Sequence, residues 1–231
     1  MSRRTSPPFR ADHVGSLLRP PRLLEARDDF VAGQITAAEL RTIEDEEIGK
    51  AVRMQEEVGL QSATDGEFRR ATWHMDFIYA LGGVSKAPGH IQVKFTNPSG
   101  TIEWTPAALH VGSRVHIDET IFGDDFTFLK SQVTTAVPKQ TIPSPNMVHY
   151  RGGPAMLDPA VYPDIEEFWA DLAAAYADEV ARLGALGCTY LQFDDTSLAY
   201  LNDPAQRAEI TGRGEDAEHL HHRYISQINA A

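Results

Sequence analysis

Residues 187–201, GCTYLQFDDTSLAYL, constrain the fold of this chain more tightly than any other stretch. The segment opens on the Gly that ends a long amphipathic helix and runs on as a short apolar segment over residues 188–193. It then stops on two adjacent carboxylates, Asp194 and Asp195, followed by Thr196 and Ser197. A buried strand that delivers acids at its C-terminal end is the pattern of the ligand face of an open α/β sheet or a β/α barrel. An ordinary helix–strand junction, its acids in solvent or capping the next helix, reads the same way, so the other strand exits have to decide.

Taken in order, residues 9–18 read as a short first strand with Gly15-Ser16 at its exit and Pro20-Pro21 after it. Residues 22–33 read as helical. Thr36 and Glu39 form a capping box that opens a second helix, with Leu40, Ile43, Ile48, Ala51, Val52 and Val58 as its apolar stripe and Gly59 as its stop. Residues 61–64 form a weak strand leading into Asp65-Gly66-Glu67, a second set of acids at a strand exit. Turn residues then crowd residues 73–130, around short strands at 90–95, 101–104 and 114–117, the middle pair as a hairpin. This stretch is expected to be a β-rich insertion in a single domain spanning residues 1–231. Residues 126–137 read as helix and 139–142 as strand. Asp164 and Glu167 form a second capping box, starting a helix whose core face carries Trp169 and Tyr176. Short helices after Asp203-Pro204 and over 215–228 close the chain. Strands alternating with helices argue for a parallel sheet with right-handed crossovers.

Composition narrows the function. A net charge of −12 argues against nucleic acid or an anionic membrane as partner. The single cysteine, Cys188, rules out an intrachain disulfide and fits a reducing cytoplasm. No apolar run approaches the ~18 residues a membrane helix needs, and the basic start MSRRTSPPFR lacks the apolar segment of a secretory signal and is expected to fray.

Three strand exits carry polar groups: His13 to Ser16, Asp65 to Glu67, and Asp194 to Asp195. On adjacent parallel strands they would share one rim, where carboxylates fix an ammonium group and the Gly15-Ser16 N–H groups a carboxylate, as an amino acid requires. Glu67 could instead pair with Arg69 or Arg70, and His13 could be a satisfied core histidine. Gly212-x-Gly214 lacks a preceding strand, so no nucleotide cofactor is expected. In the run His219-x-His221-His222, Glu218 with His222 and Glu215 with His219 would share a helix face, but no third ligand follows at a metal spacing, so the run reads as a solvated helix face.

The segments HVGSLLRP at 13–20, DGEFRR at 65–70 and YLQFDDTS at 190–197 resemble the cobalamin-independent methionine synthase family, and more closely its shorter single-barrel relatives. The resemblance covers nearly the whole chain. It implies an α/β fold of the parallel (β/α) TIM-barrel type, as in methionine synthase and uroporphyrinogen decarboxylase. It also implies methyl transfer from 5-methyltetrahydrofolate to a thiol such as homocysteine, activated on zinc. By resemblance, Val14 and Ser16 would hold the amino acid carboxylate, Glu67 and Asp194 its ammonium, and Ser144 would lie near the folate. With His13 and Asp195 these make the candidate substrate-binding set; no catalytic residue is assigned.

Two departures qualify the resemblance. The family's Asp-Glu-Pro is Asp194-Asp195-Thr196 here, and its zinc ligands, a His-x-Cys pair with a later Glu and Cys, have no counterpart. Four strands amount to half of a ~250-residue barrel. The chain alone is therefore expected to be a partial barrel, inactive as a methyltransferase, that self-associates or meets a complementing half. The alternatives are a non-catalytic amino-acid-binding fragment, another thiol-alkyl transferase, or a uroporphyrinogen decarboxylase-like enzyme. No basic cluster supports the last.

Overall fold

In the computed structural model, which describes residues 5–88, 93–97, 100–104 and 108–231, the chain opens with α1 (Pro21–Val31), α2 (Ala37–Glu57) and β1 (Ser62–Ala63). There follow α3 (Met75–Ala80), β2 (Gly82–Ala87), β3 (Val93–Asn97), β4 (Gly100–Trp104), β5 (Ala108–His116) and α4 (Gly123–Gln132). Then come β6 (Val137–Pro138), β7 (Gln140–Pro143), α5 (Asn146–His149), a 3-10 turn at Gly153–Met156 and α6 (Ile165–Ala185). The last elements are β8 (Leu191–Asp194), α7 (Ser197–Tyr200), α8 (Pro204–Gly212) and α9 (Leu220–Ala230). Two compact units result. The first takes the chain up to Trp73 with Phe122–Ile142 and Arg182–Asp194; the second takes His74–Ile121, Pro143–Ala181 and Asp195–Ala231.

In the first unit the Thr36 box forms as expected: Thr36 Oγ1 accepts from the Glu39 N–H at 3.2 Å, and the Glu39 carboxylate accepts from the Thr36 N–H at 2.8 Å. The helix it starts, α2, buries Ile48, Ala51 and Val52 against Leu23, Ala63, Phe68 and Leu129. Val58 falls off that stripe, 68% exposed at the C-terminal cap. β1 and β6 pair in parallel, Ser62 opposite Val137, and β7 pairs with β8.

The expected first strand over residues 9–18 does not form. Side chains claim its backbone before a neighbouring strand can. Lys139 Nζ donates to the His13 carbonyl at 2.5 Å, Gln192 Nε2 to that of Val14 at 2.6 Å, and Thr64 Oγ1 to that of Gly15 at 2.6 Å. The Leu17 N–H then reaches the Gly66 carbonyl at 3.1 Å. The segment is extended but outside any ladder.

In the second unit β2 and β5 pair antiparallel, and β3 and β4 form the expected hairpin, Val93 opposite Trp104. The strand expected at 90–95 begins at residues 90–92, outside the described residues, as does the start expected to fray at 1–4. The core is aromatic: the Tyr176 ring lies 5.4 Å from that of Phe77, and the Trp169 ring lies 4.6 Å from that of the fully buried His149, tilted by 51°. Trp169 and Tyr176 are thus packing residues, as their spacing requires. The Asp164 carboxylate accepts from the Glu166 N–H at 3.0 Å, while the Glu167 carboxylate pairs with Arg114 instead of closing a capping box. Among the described residues no helix is long and apolar enough to cross a membrane.

The helix expected at 126–137 stops at Gln132 because Glu56 captures the backbone beyond it. The Glu56 carboxylate accepts from the N–H groups of Thr134, Thr135 and Ala136 at 2.7–2.9 Å and from the Thr134 hydroxyl at 2.7 Å. Burial opposes the charge, but these donors outweigh it and hold the group down to about 2 from its ordinary 4.5. A depressed carboxylate stabilises the fold above its unfolded pKa and loses that contribution as pH falls toward the folded value. Glu56→Gln should therefore cost about 1–2 kcal/mol at neutral pH. In urea denaturation the gap from wild type should close as pH drops from about 4.5 toward 2.

Candidate functional site

The loop after β1 turns sharply. Asp65 Oδ1 accepts from the Glu67 N–H at 2.9 Å, with Gly66 at φ 69° and Glu67 at φ 59°. Glu67 is the sole non-glycine with positive φ among the described residues, a strained conformation that its surroundings must hold. They do so by burying it to 2% exposure and gripping one oxygen. Thr141 Oγ1 donates to Glu67 Oε1 at 2.9 Å, and Arg70 Nη1 stands 3.7 Å from the same atom. Arg70 is itself fixed by the Thr141 carbonyl at 2.7 Å and by the Phe122 ring 4.2 Å beneath its guanidinium. Glu67 Oε2 has no partner among the described residues. Burial pushes the Glu67 carboxyl up, against Arg70 and Thr141, and Asp65 and Asp194 push it further.

Asp194, at the end of β8, repeats the arrangement. Gln192 Nε2 donates to its Oδ1, and Oδ2 has no partner among the described residues. Burial raises this carboxyl too, with Gln192, Arg70 and Lys139 opposing. Lys139 is buried and paired with Asp12 at 3.1 Å, so carboxylates outnumber cations around Glu67 and Asp194. The extended N-terminal segment reaches the same group: a Cβ on Gly15, at φ 147°, would lie 2.6 Å from Thr141 Cγ2 and 3.2 Å from Glu67 Oε1. Ser16 follows it, exposed and without a hydrogen-bond partner among the described residues.

The remaining candidates are placed differently. Val14 is 68% exposed and meets the cluster through its carbonyl alone. His13 Nε2 lies 2.8 Å from Gln55 Oε1. Gln55 Nε2 donates to the Ala51 and Thr64 carbonyls and its Oε1 accepts from the Thr64 N–H, so the network assigns His13 as donor through Nε2. Asp195 and Ser144 belong to the second unit. Asp195 accepts from Ser144 Oγ, from Asn146 Nδ2 at 2.8 Å, from Ser197 Oγ at 2.7 Å and from the Leu198 N–H at 3.1 Å. Both its oxygens are thereby engaged, in fastening α7.

The second unit also holds a cavity of ≈ 390 Å³ lined by Met75, Leu109, Met147, Tyr150, Arg151 and Met156 among others, mostly apolar with a cationic wall. His74 borders it, and burial with Arg151 nearby holds that imidazole down to about 4, hence neutral at physiological pH. Among the described residues no group of three or more His, Cys, Asp or Glu could hold a metal ion. The Cys188 thiol is half-buried, and burial pushes its pKa up, away from the thiolate a zinc site requires. The described residues do not fit zinc.

Residues 9–211 match the family model described as cobalamin-independent synthase, catalytic domain. The chain belongs to this family. It is 39% identical over 224 residues to YxjH of Bacillus subtilis (strain 168), covering 97% of this chain and 58% of that protein. It is 27% identical over 199 residues to a 5-methyltetrahydropteroyltriglutamate–homocysteine methyltransferase of Synechococcus sp., covering 83% of this chain and 24% of that one. Among solved structures, a Listeria monocytogenes protein assigned as a vitamin-B12 independent methionine synthase superposes with a TM-score of 0.78 at 40% identity. That match covers 97% of this chain and 61% of the other. A B12-independent methionine synthase from Shewanella sp. W3-18-1, solved with selenomethionine, shares the fold at 22% identity and a TM-score of 0.53, over 78% of this chain and 48% of that one. The chain spans 58% of YxjH, and its fold is of the β/α-barrel type expected from its sequence.

Sequence reasoning missed Thr141, Gln192, Gln55 and the Lys139–Asp12 pair. One signal was present: Lys139, Gln140 and Thr141 are consecutive polar residues in a segment that is otherwise strand-like and buried. Gly15 gives the site its tightest contact, so Gly15→Ala should destabilise the fold by about 1–3 kcal/mol and should push Thr141 off Glu67. Thermal denaturation alongside binding measurements checks both effects.

Proposed function

We propose that the first unit binds a sulfur-containing α-amino acid, homocysteine or methionine, and that the cavity of the second takes a reduced folate, the pair serving methyl transfer in a cytoplasmic enzyme. One observation carries the amino acid assignment. Glu67 and Asp194 are each anchored through one oxygen and leave the other unengaged among the described residues, in a buried group with excess negative charge. Two such oxygens suit an ammonium, which donates three hydrogen bonds and supplies the missing positive charge. Ser16, exposed next to Gly15, suits the carboxylate of the same molecule. The relatives' names support the choice: two act on homocysteine or were solved with selenomethionine.

For the second unit, a mostly apolar cavity with Tyr150 and three methionines suits a flat heteroaromatic ring, and Arg151 suits an acidic tail. In the transfer, the carbon–sulfur bond forms as the bond from the methyl carbon to N5 of 5-methyltetrahydrofolate breaks, and the thiol proton ends on N5. The antiparallel strands within residues 73–130 are then an insertion in the barrel.

Asp194→Asn keeps the oxygen that Gln192 holds and removes the charge. Calorimetry should show L-methionine binding weakened about tenfold or more, with thermal stability at neutral pH unchanged or raised. The sign follows from burial: a carboxyl whose pKa is raised on folding opposes folding once ionised, so neutralising it relieves that cost. Unchanged affinity would remove the ammonium assignment. Leu109→Trp should fill the second cavity and abolish 5-methyltetrahydrofolate binding in equilibrium dialysis while leaving methionine affinity intact.

A further inference from the structure

Thr141 meets three parts of the group described above: Glu67, Arg70 and the Gly15 backbone. Its side chain is 2% exposed on β7 and divides into two branches with separate contacts. The hydroxyl donates to Glu67 Oε1 at 2.9 Å. The methyl lies where Gly15 passes, 2.6 Å from any Cβ that residue could carry. Its carbonyl accepts from Arg70 Nη2 at 2.7 Å, which fixes the cation facing Glu67. From these contacts we infer that Thr141 is a positioning residue for amino acid recognition, its hydroxyl aiming Glu67 and its methyl setting how closely the Gly15-Ser16 segment approaches that carboxylate. This rests on the amino acid reading of the first unit.

With Oε1 held by the Thr141 hydroxyl, the carboxylate can rotate only by giving up that bond, so Oε2 stays presented to a ligand. The methyl sets a contact distance between the two subsites, and an α-amino acid has a fixed spacing between its nitrogen and its carboxylate. Neither group meets the ligand, so Thr141 acts through Glu67 and Gly15.

The charged groups around Glu67 are Arg70 and Asp65 on its own loop, Asp194 on β8, Lys139 preceding β7, and Arg19, whose guanidinium donates to the Glu67 carbonyl at 3.0 Å. Thr141→Val changes none of them and keeps nearly the same volume. L-methionine binding to the whole chain, measured by calorimetry across pH, should weaken about tenfold in this variant at neutral pH. The acid limb of binding should move up by about one pH unit, because Glu67 loses a bond that favours its ionised form. Thr141→Ser should restore the limb to its wild-type position. Thr141→Ala is the second variant, with the same upward shift expected, should valine prevent folding.

A structural role alone would lower the melting temperature and leave the limb in place. That result overturns the inference, as does an equal shift in the valine and serine variants. Glu67→Gln separates the two levels. If it binds methionine as wild type does, the amino acid reading itself fails; if it binds weakly while Thr141→Val is unaffected, only the role of Thr141 fails.

Discussion

Burying Glu67 is unfavourable, and much of the first unit is arranged around holding it there. A carboxylate removed from water in a left-handed backbone conformation loses hydration and adds strain. Thr141 and Arg70 offset part of that cost through one oxygen, and the raised pKa is the part left over. On the proposed reading the residual is met by the ligand: a cation that reaches the second oxygen would relieve both the unengaged acceptor and the repulsion from Asp65 and Asp194. Stability and affinity therefore oppose each other here, as they do where buried charge is kept for binding. The neighbouring elements follow from this requirement. Gly15 must lack a side chain, Thr64 must hold the Gly15 carbonyl, and Leu17 must reach Gly66, so that the N-terminal segment can press on the loop.

Asp194 and Asp195 show how adjacent acids acquire different work. The first keeps an oxygen unengaged among the described residues; the second spends both, on Ser144, Asn146, Ser197 and the start of α7. β8 ends at Asp194, so Asp195 already belongs to the turn that leads into α7. The acid that ends the strand keeps an oxygen unengaged among the described residues, while the acid after it fastens the next helix turn.

The sequence was most legible where local rules decide structure. Thr36 and Glu39 announce α2, and Trp169 and Tyr176 lie on the core face their spacing implies, because capping and periodicity act over a few residues. Residues 9–18 have the composition of a strand, yet Lys139, Gln192 and Thr64, distant in sequence, take their carbonyls. Nothing local reveals that. Glu67 was open between a ligand role and pairing with Arg70; the structure pairs it with Arg70 through Oε1 and leaves Oε2 unengaged among the described residues. Thr141 and Gln55 were invisible because a hydroxyl or amide in a strand or helix gains meaning only from what the fold places opposite it.

On the reading proposed for the first unit, two half-engaged carboxylates receive one ammonium. A crystal structure of the chain with L-methionine tests it most directly. The methionine nitrogen is expected within about 2.7–3.2 Å of both Glu67 Oε2 and Asp194 Oδ2, with the carboxylate at Ser16. A nitrogen contacting neither acid, or methionine seated only in the cavity beside Tyr150 and Arg151, would contradict it.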